Sequence, residues 1–402
     1  MLQFYSSSAR IINTKRSVEE CLESALGDDN KSIDLLIYHA TLGHDFNDIL
    51  EKSKELYPNA DVVAASCCGI VGKEGVSESM KDMALMAIKG NDYALAHVNG
   101  IFGHNSYQKT LEIANSLKSK KSGINMIYFL ASGIDINNTE CISAFESVFG
   151  ENVTIFGATA SDNMKGVVSY QAVNDAVYEN GAYAIGFCDP TLKVHTQATH
   201  GFLADGEPLI VTKSTGNIIK ELNGKPAWSE YLKHLSVSEN ATCGDTIPIG
   251  ALAEELSEGL SLEYGNSHIL RVVTKHEGDD MYYATSCEEN TKLWLTVRDE
   301  GLIFDEMTNM TDSLLSKIED EEVVAVFHAD CLARGRFLFN RIFKEELVAK
   351  MQNPFHNNNV CPPWLGMYGF GEFARLGGKN TYHNYTTALY VITRNLMVRL
   401  NE

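Results

Sequence analysis

Arg334 and Glu372 are the residues whose placement most invites chemistry. Each stands just past an apolar run. Glu322-Val-Val-Ala-Val-Phe327 leads to His328-Ala-Asp-Cys-Leu-Ala-Arg334, and Trp364-Leu-Gly-Met-Tyr-Gly-Phe370 leads to Gly371-Glu372. Sheets of α/β proteins commonly open their ligand sites at such carboxyl ends. A guanidinium is a planar fork of donors suited to a carboxylate or phosphate, and a glutamate takes an amine or a hydroxyl. Asp330, Tyr368, Gly371, Asn384 and Thr386 lie in these segments or in the Tyr382–Thr387 stretch that follows, and complete a candidate ligand-binding set. The competing reading pairs Arg334 with Glu372 as a brace between two strands. Gly366, Gly369 and Gly371 weaken a strand unless the backbone must approach a ligand, a loop or another strand.

Other reactive types fit less well. Asp330-Cys331 places a thiol beside a carboxylate, but acyl transfer from cysteine needs a histidine base. On a continued strand His328 shares the side of Asp330 and faces away from Cys331. Ser66-Cys67-Cys68-Gly69 lacks the G-x-S-x-G spacing of a nucleophile elbow. A Cys-dependent hydrolase is therefore an alternative, and buried thiols are the plainer reading. His200, His328 and His383 are candidate haem axial ligands, since one imidazole in an apolar pocket is enough; each is more ordinarily a hydrogen-bonded core or surface histidine. Cys361-Pro362 counts for little as a thiolate haem site. Trp364, Tyr368, Phe370, Phe373, Tyr382 and Tyr385 could wall a flat pocket or simply fill a core. No glycine pair opens a helix as a dinucleotide fingerprint requires.

The elements that position these residues recur along the chain. Ser32–His39, Asp45–Tyr57 and Asp61–Ala65 read as strand, helix and strand, followed by strands Met83–Ile88 and Tyr93–Val98 joined by a Gly-Asn-Asp turn. The order repeats from Ile124 to Phe187 and again from Glu322 to Thr393, with Phe337–Met351 as the third helix. Residues 226–300 read as a degenerate fourth copy, and Val194–Phe202 as a crossing between domains. The fold class expected is α/β, with mixed sheets built from repeated β-α-β-β units in two domains. The domains are placed at 1–212 and 213–402, because turn residues break the pattern from Lys213 to Lys225.

A length of 402 residues is ample for a core, and a net charge of −20 argues against nucleic acid and anionic membranes as partners. No apolar run is long enough to span a bilayer, and the N-terminus lacks the regions of a signal peptide, so a cytoplasmic location without membrane insertion is expected. Nine scattered cysteines without a CxxC pair argue against a disulfide framework or structural zinc.

In this order, Ala65-Ser-Cys-Cys-Gly-Ile70, Phe156-Gly-Ala-Thr-Ala-Ser-Asp-Asn163, His328-Ala-Asp-Cys-Leu-Ala-Arg-Gly335, Gly366-Met-Tyr-Gly-Phe-Gly-Glu372 and His383-Asn-Tyr-Thr386 resemble the FIST family of sensory proteins, with N-terminal and C-terminal parts both present. The resemblance covers roughly residues 30 to 395. It implies intracellular signal transduction and small-ligand binding. A branch of the family contains haem, senses nitric oxide and acts on a sensor kinase. This chain carries no kinase, cyclase or receiver module, so the resemblance implies action in trans on a signalling partner such as a histidine kinase. A protein-interaction platform without a ligand is the remaining alternative.

Overall fold

The computed structural model describes residues 1–27, 32–318, 321–335 and 341–395. Three copies of one unit make the body of the molecule. Repeat I comprises β1 (Gln3–Arg10), α1 (Thr14–Leu26), β2 (Leu35–Thr41), α2 (Phe46–Leu56), β3 (Asp61–Cys67), the hairpin β4 (Ile70–Gly72) and β5 (Gly75–Ser77), and β6 (Asp82–Lys89). Repeat II comprises β7 (Tyr93–Asn99), α3 (Ser106–Lys120), β8 (Met126–Ser132), α4 (Asn138–Phe149), β9 (Thr154–Ala160), the hairpin β10 (Gln171–Val173) and β11 (Ala176–Tyr178), and β12 (Gly181–Phe187). Repeat III opens with β13 (Leu192–Thr199) and is then interrupted.

The interruption, residues 202–298, is an antiparallel sheet of its own. It holds β14 (Phe202–Thr215), β15 (Ile218–Leu222), β16 (Lys225–Pro226), α5 (Ala227–Leu235), α6 (Cys243–Thr246), β17 (Leu252–Glu255), α7 (Glu258–Tyr264), β18 (His268–Arg271), β19 (Val273–Glu277), β20 (Asp280–Tyr283) and β21 (Lys292–Arg298). Repeat III then resumes with α8 (Glu300–Lys317), β22 (Glu321–Cys331), α9 (Arg341–Gln352), β23 (Trp364–Gly369), the hairpin β24 (Gly371–Leu376) and β25 (Lys379–His383), and β26 (Thr387–Asn395).

In every repeat the spatial order is first strand, last strand, second, third: β1-β6-β2-β3, β7-β12-β8-β9 and β13-β26-β22-β23. The second and third strands run parallel, which requires a crossover, and α2, α4 and α9 supply it. Side-chain caps fix where the helices of the first two repeats start: Asp45 accepts the Asn47 and Asp48 amides, and Asn137 accepts the Glu140 amide.

Each sheet is completed by another repeat's hairpin. β4/β5 of repeat I adds to β23, β10/β11 of repeat II adds to β3, and β24/β25 of repeat III adds to β9. The exchange closes a ring. Helices cover the outer faces, and a shared apolar core from all three repeats fills the centre. Sheets buried on both faces explain why these strands read as continuous apolar runs. Phe156 sits at the centre, its ring 5.5 Å from Tyr128, 5.6 Å from Phe327 and 5.4 Å from Tyr390.

Several expectations are corrected here. The segment 226–300 is not a fourth copy: its strands pair antiparallel and contain no strand–helix–strand crossover among the described residues. Val194–Phe202 does not pass between domains; most of it is β13, the first strand of repeat III, hydrogen-bonded to β26. Strands β6 and β7 follow one another through Gly90 but belong to different sheets. The turn residues between Lys213 and Lys225 form the β14–β15 hairpin and the turn into β16. The expected helix start at Phe337 lies outside the described residues.

Candidate functional site

The third strands of the three repeats end against one another. Cys68 N–H donates to Tyr368 O at 3.1 Å and Ser161 Oγ at 3.0 Å, Ser161 Oγ donates to Tyr368 O at 2.7 Å, and Phe370 N–H donates to Thr159 O at 3.1 Å. The motifs around Cys67, Ser161 and Tyr368 are thus one meeting point. The glycines there serve the approach of strands. A Cβ on Gly369 would lie 2.6 Å from Thr159 O, and one on Gly371 would lie 2.0 Å from the Tyr382 hydroxyl. Gly371 is therefore packed against protein.

Asp330 and Arg334 flank the end of β22. A short 3-10 turn, Leu332–Arg334, folds the arginine back over the strand. Its Nε donates to Asp330 Oδ1 at 2.9 Å and its Nη1 to His200 O at 2.8 Å, with both side chains almost wholly buried. Arg334 is matched to Asp330 rather than to Glu372. Glu372 is fully buried on β24, and among the described residues no hydrogen bond of good geometry reaches either carboxyl oxygen. Burial, and then the charge of Asp330, push its carboxyl well above the usual range; Arg334 and the Thr386 amide offset this only partly. Asn384 Nδ2 donates to Phe370 O at 2.9 Å, Thr386 Oγ1 donates to Asn384 O at 2.8 Å, and Tyr368 is buried in the adjoining apolar cluster. The seven residues of the expected ligand set thus gather in one buried region, and all but Glu372 are held by, or packed on, protein groups.

Directly beside them lies a cavity of about 190 Å³. One wall is Cys331, Leu332 and Ala333 with Phe370 and Tyr385. Repeat II contributes Gly133–Asp135 and Met164–Gly166, and the inserted sheet contributes Cys243, Ile247 and Val272–Lys275. Arg334 and Glu372 are not among its lining residues; they stand one layer behind the wall. Burial, and then Glu372, raise the Cys331 thiol well above its ordinary value, so it stays protonated and is a poor nucleophile.

Backbone strain concentrates on this cavity. Among the described residues the non-glycine positions in the left-handed region are mostly asparagines, with Ser236 and three others: Asp135 (φ 50°), Met164 (φ 75°) and Tyr385 (φ 53°). All three of those others line the cavity. A methionine or tyrosine there is sterically costly and persists only where its surroundings fix it. Tyr385 is fixed by its hydroxyl, which donates to Ile247 O at 3.0 Å. Met164 is fixed by the buried Asp162, whose carboxylate accepts the amides of Lys165, Gly166 and Val167 at 2.7, 3.1 and 2.8 Å. The repeat II and inserted-sheet walls were not found in sequence. The loop Ala131-Ser-Gly-Ile-Asp135 was the one available signal, as a polar strand end matching those of the other repeats.

The three histidines do not fit a haem in this arrangement. His200 has no free ring nitrogen: Nε2 meets His268 O at 3.0 Å and Nδ1 accepts Phe202 N–H at 2.9 Å. His328 and His383 each keep Nδ1 unpartnered, but both rings are buried against aromatic neighbours, Trp364 at 6.0 Å and Tyr264 at 5.4 Å. None of the three lines the 190 Å³ cavity, which is itself smaller than the roughly 300–1,000 Å³ usual for small-molecule and cofactor pockets. Among the described residues no group of three or more His, Cys, Asp or Glu side chains could hold a metal ion. No helix among them is long and apolar enough to cross a membrane.

These features define a repeat-built α/β protein with a small, partly open site where its N-terminal and C-terminal parts meet. The chain belongs to the FIST family: the FIST N domain matches residues 34–225 and the FIST C domain residues 227–375. FIST domains are associated with sensory signal transduction and ligand binding. No curated protein sequence matches the chain. Among solved structures, cyanuric acid hydrolase, described as an innovation by structural concatenation, is similar over 98% of this chain and 99% of its own at 8% identity and a TM-score of 0.36. T. maritima PurL complexed with AMPPCP is similar over 98% of this chain and 73% of its own at 9% identity and a TM-score of 0.21. Neither likeness is strong enough to bear on function.

Proposed function

We propose that this chain is a ligand-responsive signalling protein of the cytoplasm, without turnover, that acts in trans on a separate partner such as a histidine kinase. The observation that carries this reading is the set of three left-handed residues, Asp135 and the strained Met164 and Tyr385, drawn from separate segments onto one small cavity. The cavity joins residues of the FIST N part to residues of the FIST C part, so an occupant favours one arrangement of the two over another. Behind the wall, the unpartnered Glu372 and the Asp330–Arg334 pair form a polar set that a shift of the Cys331–Ala333 turn would re-order. All nine cysteines are free, which agrees with a reducing compartment. The acidic surface supports a partner with basic contact surfaces.

Thermal unfolding against a small-molecule panel tests the reading. A compound that occupies the native cavity raises the melting temperature, and Val272→Phe, which fills the cavity from a half-buried wall position, abolishes that rise. No stabilising compound, or an equal rise in Val272→Phe, contradicts it.

A further inference from the structure

The cavity's lining also speaks to the chemistry of its occupant. Ile134, Met164, Ile247, Val272, Leu332 and Phe370 give it an apolar body. Cavities of roughly 150 Å³ with such walls hold a benzene-sized molecule, so about 190 Å³ holds one ring or a short branched chain with little to spare. Three charged residues also line it: Asp135, Lys165 and Lys275. Their formal charges sum to one positive, in a chain whose net charge is −20.

The two lysines differ. Lys275 Nζ is 2.9 Å from Glu277, 4.0 Å from Asp135 and 4.5 Å from the centre of the Tyr282 ring. It is held in place and largely compensated. Lys165 is exposed, and its ammonium makes no ion pair among the described residues. Its backbone is not free to drift, because the Asp162 carboxylate accepts the Lys165 amide at 2.7 Å and the two amides that follow it. An uncompensated cation is thus anchored at the edge of an apolar chamber.

Asp135 and Lys275 also line a second space, a groove of about 540 Å³ beside Gly103, Ser106 and Asn217. Asp135 and Lys275 therefore stand where cavity and groove adjoin, and Lys165 is exposed to solvent, so the charged residues mark the solvent-facing side of the chamber. An apolar body reaches the interior only by leaving any charged group on that side, since a charge buried without a partner is strongly disfavoured.

We propose that the cavity takes a ring-sized or short branched apolar molecule bearing a single anionic head, of the carboxylate class, with the head held at the rim by Lys165 and Lys275. This rests on the cavity being the ligand site, and it adds the ligand's charge and orientation. A rim ion pair of this kind is partly exposed, so salt weakens it.

The test uses the full-length chain with two probes of one shape, benzoate and benzyl alcohol, followed by ligand-observed NMR. Benzoate is expected to bind the more tightly, to weaken about fivefold in Lys165→Gln, the change that about 1 kcal/mol produces, and to weaken in 0.5 M salt, while benzyl alcohol is indifferent to both. Lys275→Gln should weaken benzoate in the same direction. Equal binding of the two probes, or benzoate binding untouched by either lysine substitution, overturns the anionic head and leaves the cavity standing as a ligand site. Binding of neither probe to the wild type, or probe binding unaltered in Val272→Phe, overturns both.

Discussion

Arg334 Nε lies 2.9 Å from Asp330 Oδ1, and neither side chain is more than 1% exposed. The pair spans the end of β22, directly behind the wall formed by Cys331, Leu332 and Ala333. Removing one partner of a buried ion pair leaves the other charge uncompensated, and typically costs about 3–5 kcal/mol. Asp330→Asn is therefore expected to lower the unfolding free energy, read from a urea titration, by that order and to move the midpoint down with it, and Arg334→Met in the same background to restore part of the loss. An unchanged midpoint in Asp330→Asn would show that the pair contributes nothing.

Glu372 predicts a pH dependence of the opposite sense from that of an ion-paired carboxylate. Burial, and then Asp330, hold its carboxyl well above the ordinary 4.5. The unfolded chain gives up this proton near pH 4.5 while the folded chain keeps it. Its contribution is fully present below that pH and is lost as pH rises towards the folded value, by up to about 1.4 kcal/mol per pH unit. Glu372→Gln has no proton to keep, so its stability should fall less steeply between pH 5 and 8 than that of the wild type. Parallel profiles would mean that Glu372 titrates normally.

At the acid end Glu321 acts in the usual direction. Burial raises its pKa, but hydrogen bonds from Lys193, Thr393 and His195 outweigh this and hold it at about 2. The stability it gives is present above the ordinary value of 4.5 and disappears as pH falls from there towards about 2. Glu321→Gln should therefore lose stability at pH 7 and converge on the wild type near pH 2. A constant difference across that window contradicts the assignment.

Asp162 predicts a local effect. Its buried carboxylate accepts the amides of Lys165, Gly166 and Val167, and hydrogen bonds to a charged group contribute about 1.5–3 kcal/mol each. In Asp162→Ala, hydrogen exchange should quicken first across residues 163–168, the loop that walls the cavity. Uniform acceleration over the whole of repeat II would instead mark a global loss.

The ring of exchanged hairpins makes the two family parts interdependent. A fragment ending at residue 225 keeps β9 without β24, and keeps the β4/β5 hairpin without β23. Unpaired edges of this kind invite aggregation. The fragment alone should show no cooperative unfolding transition, and co-expression with 226–402 should restore one. A monomeric, cooperatively folding fragment would contradict the exchange.

Most strands were legible in the sequence because both faces of each sheet are buried, which leaves unbroken apolar runs such as Leu35–Tyr38 and Met126–Ala131. The repeat order was legible for the same reason. Pairing was not. The turn between β6 and β7 has hairpin residues, yet each strand finds its partners in a different sheet, and turn chemistry does not choose partners. Repeat III was obscured because its first strand is separated from its helix α8 by the inserted sheet. The region around Arg334 and Glu372 could be named from strand ends. That Arg334 folds back on Asp330 depends on a single 3-10 turn, which leaves no pattern. The far walls of the cavity come from loops whose information lies in φ values at Asp135 and Met164, to which residue type is a poor guide.

Hydrogen exchange across the whole chain, with and without a compound that raises the melting temperature, tests the shared site most directly. The account predicts protection that appears together at residues 131–135 and 164–168 of the FIST N part and at 243–247, 272–275 and 331–333 of the FIST C part, and that vanishes in Val272→Phe. Protection confined to one part, or located away from these segments, would contradict it.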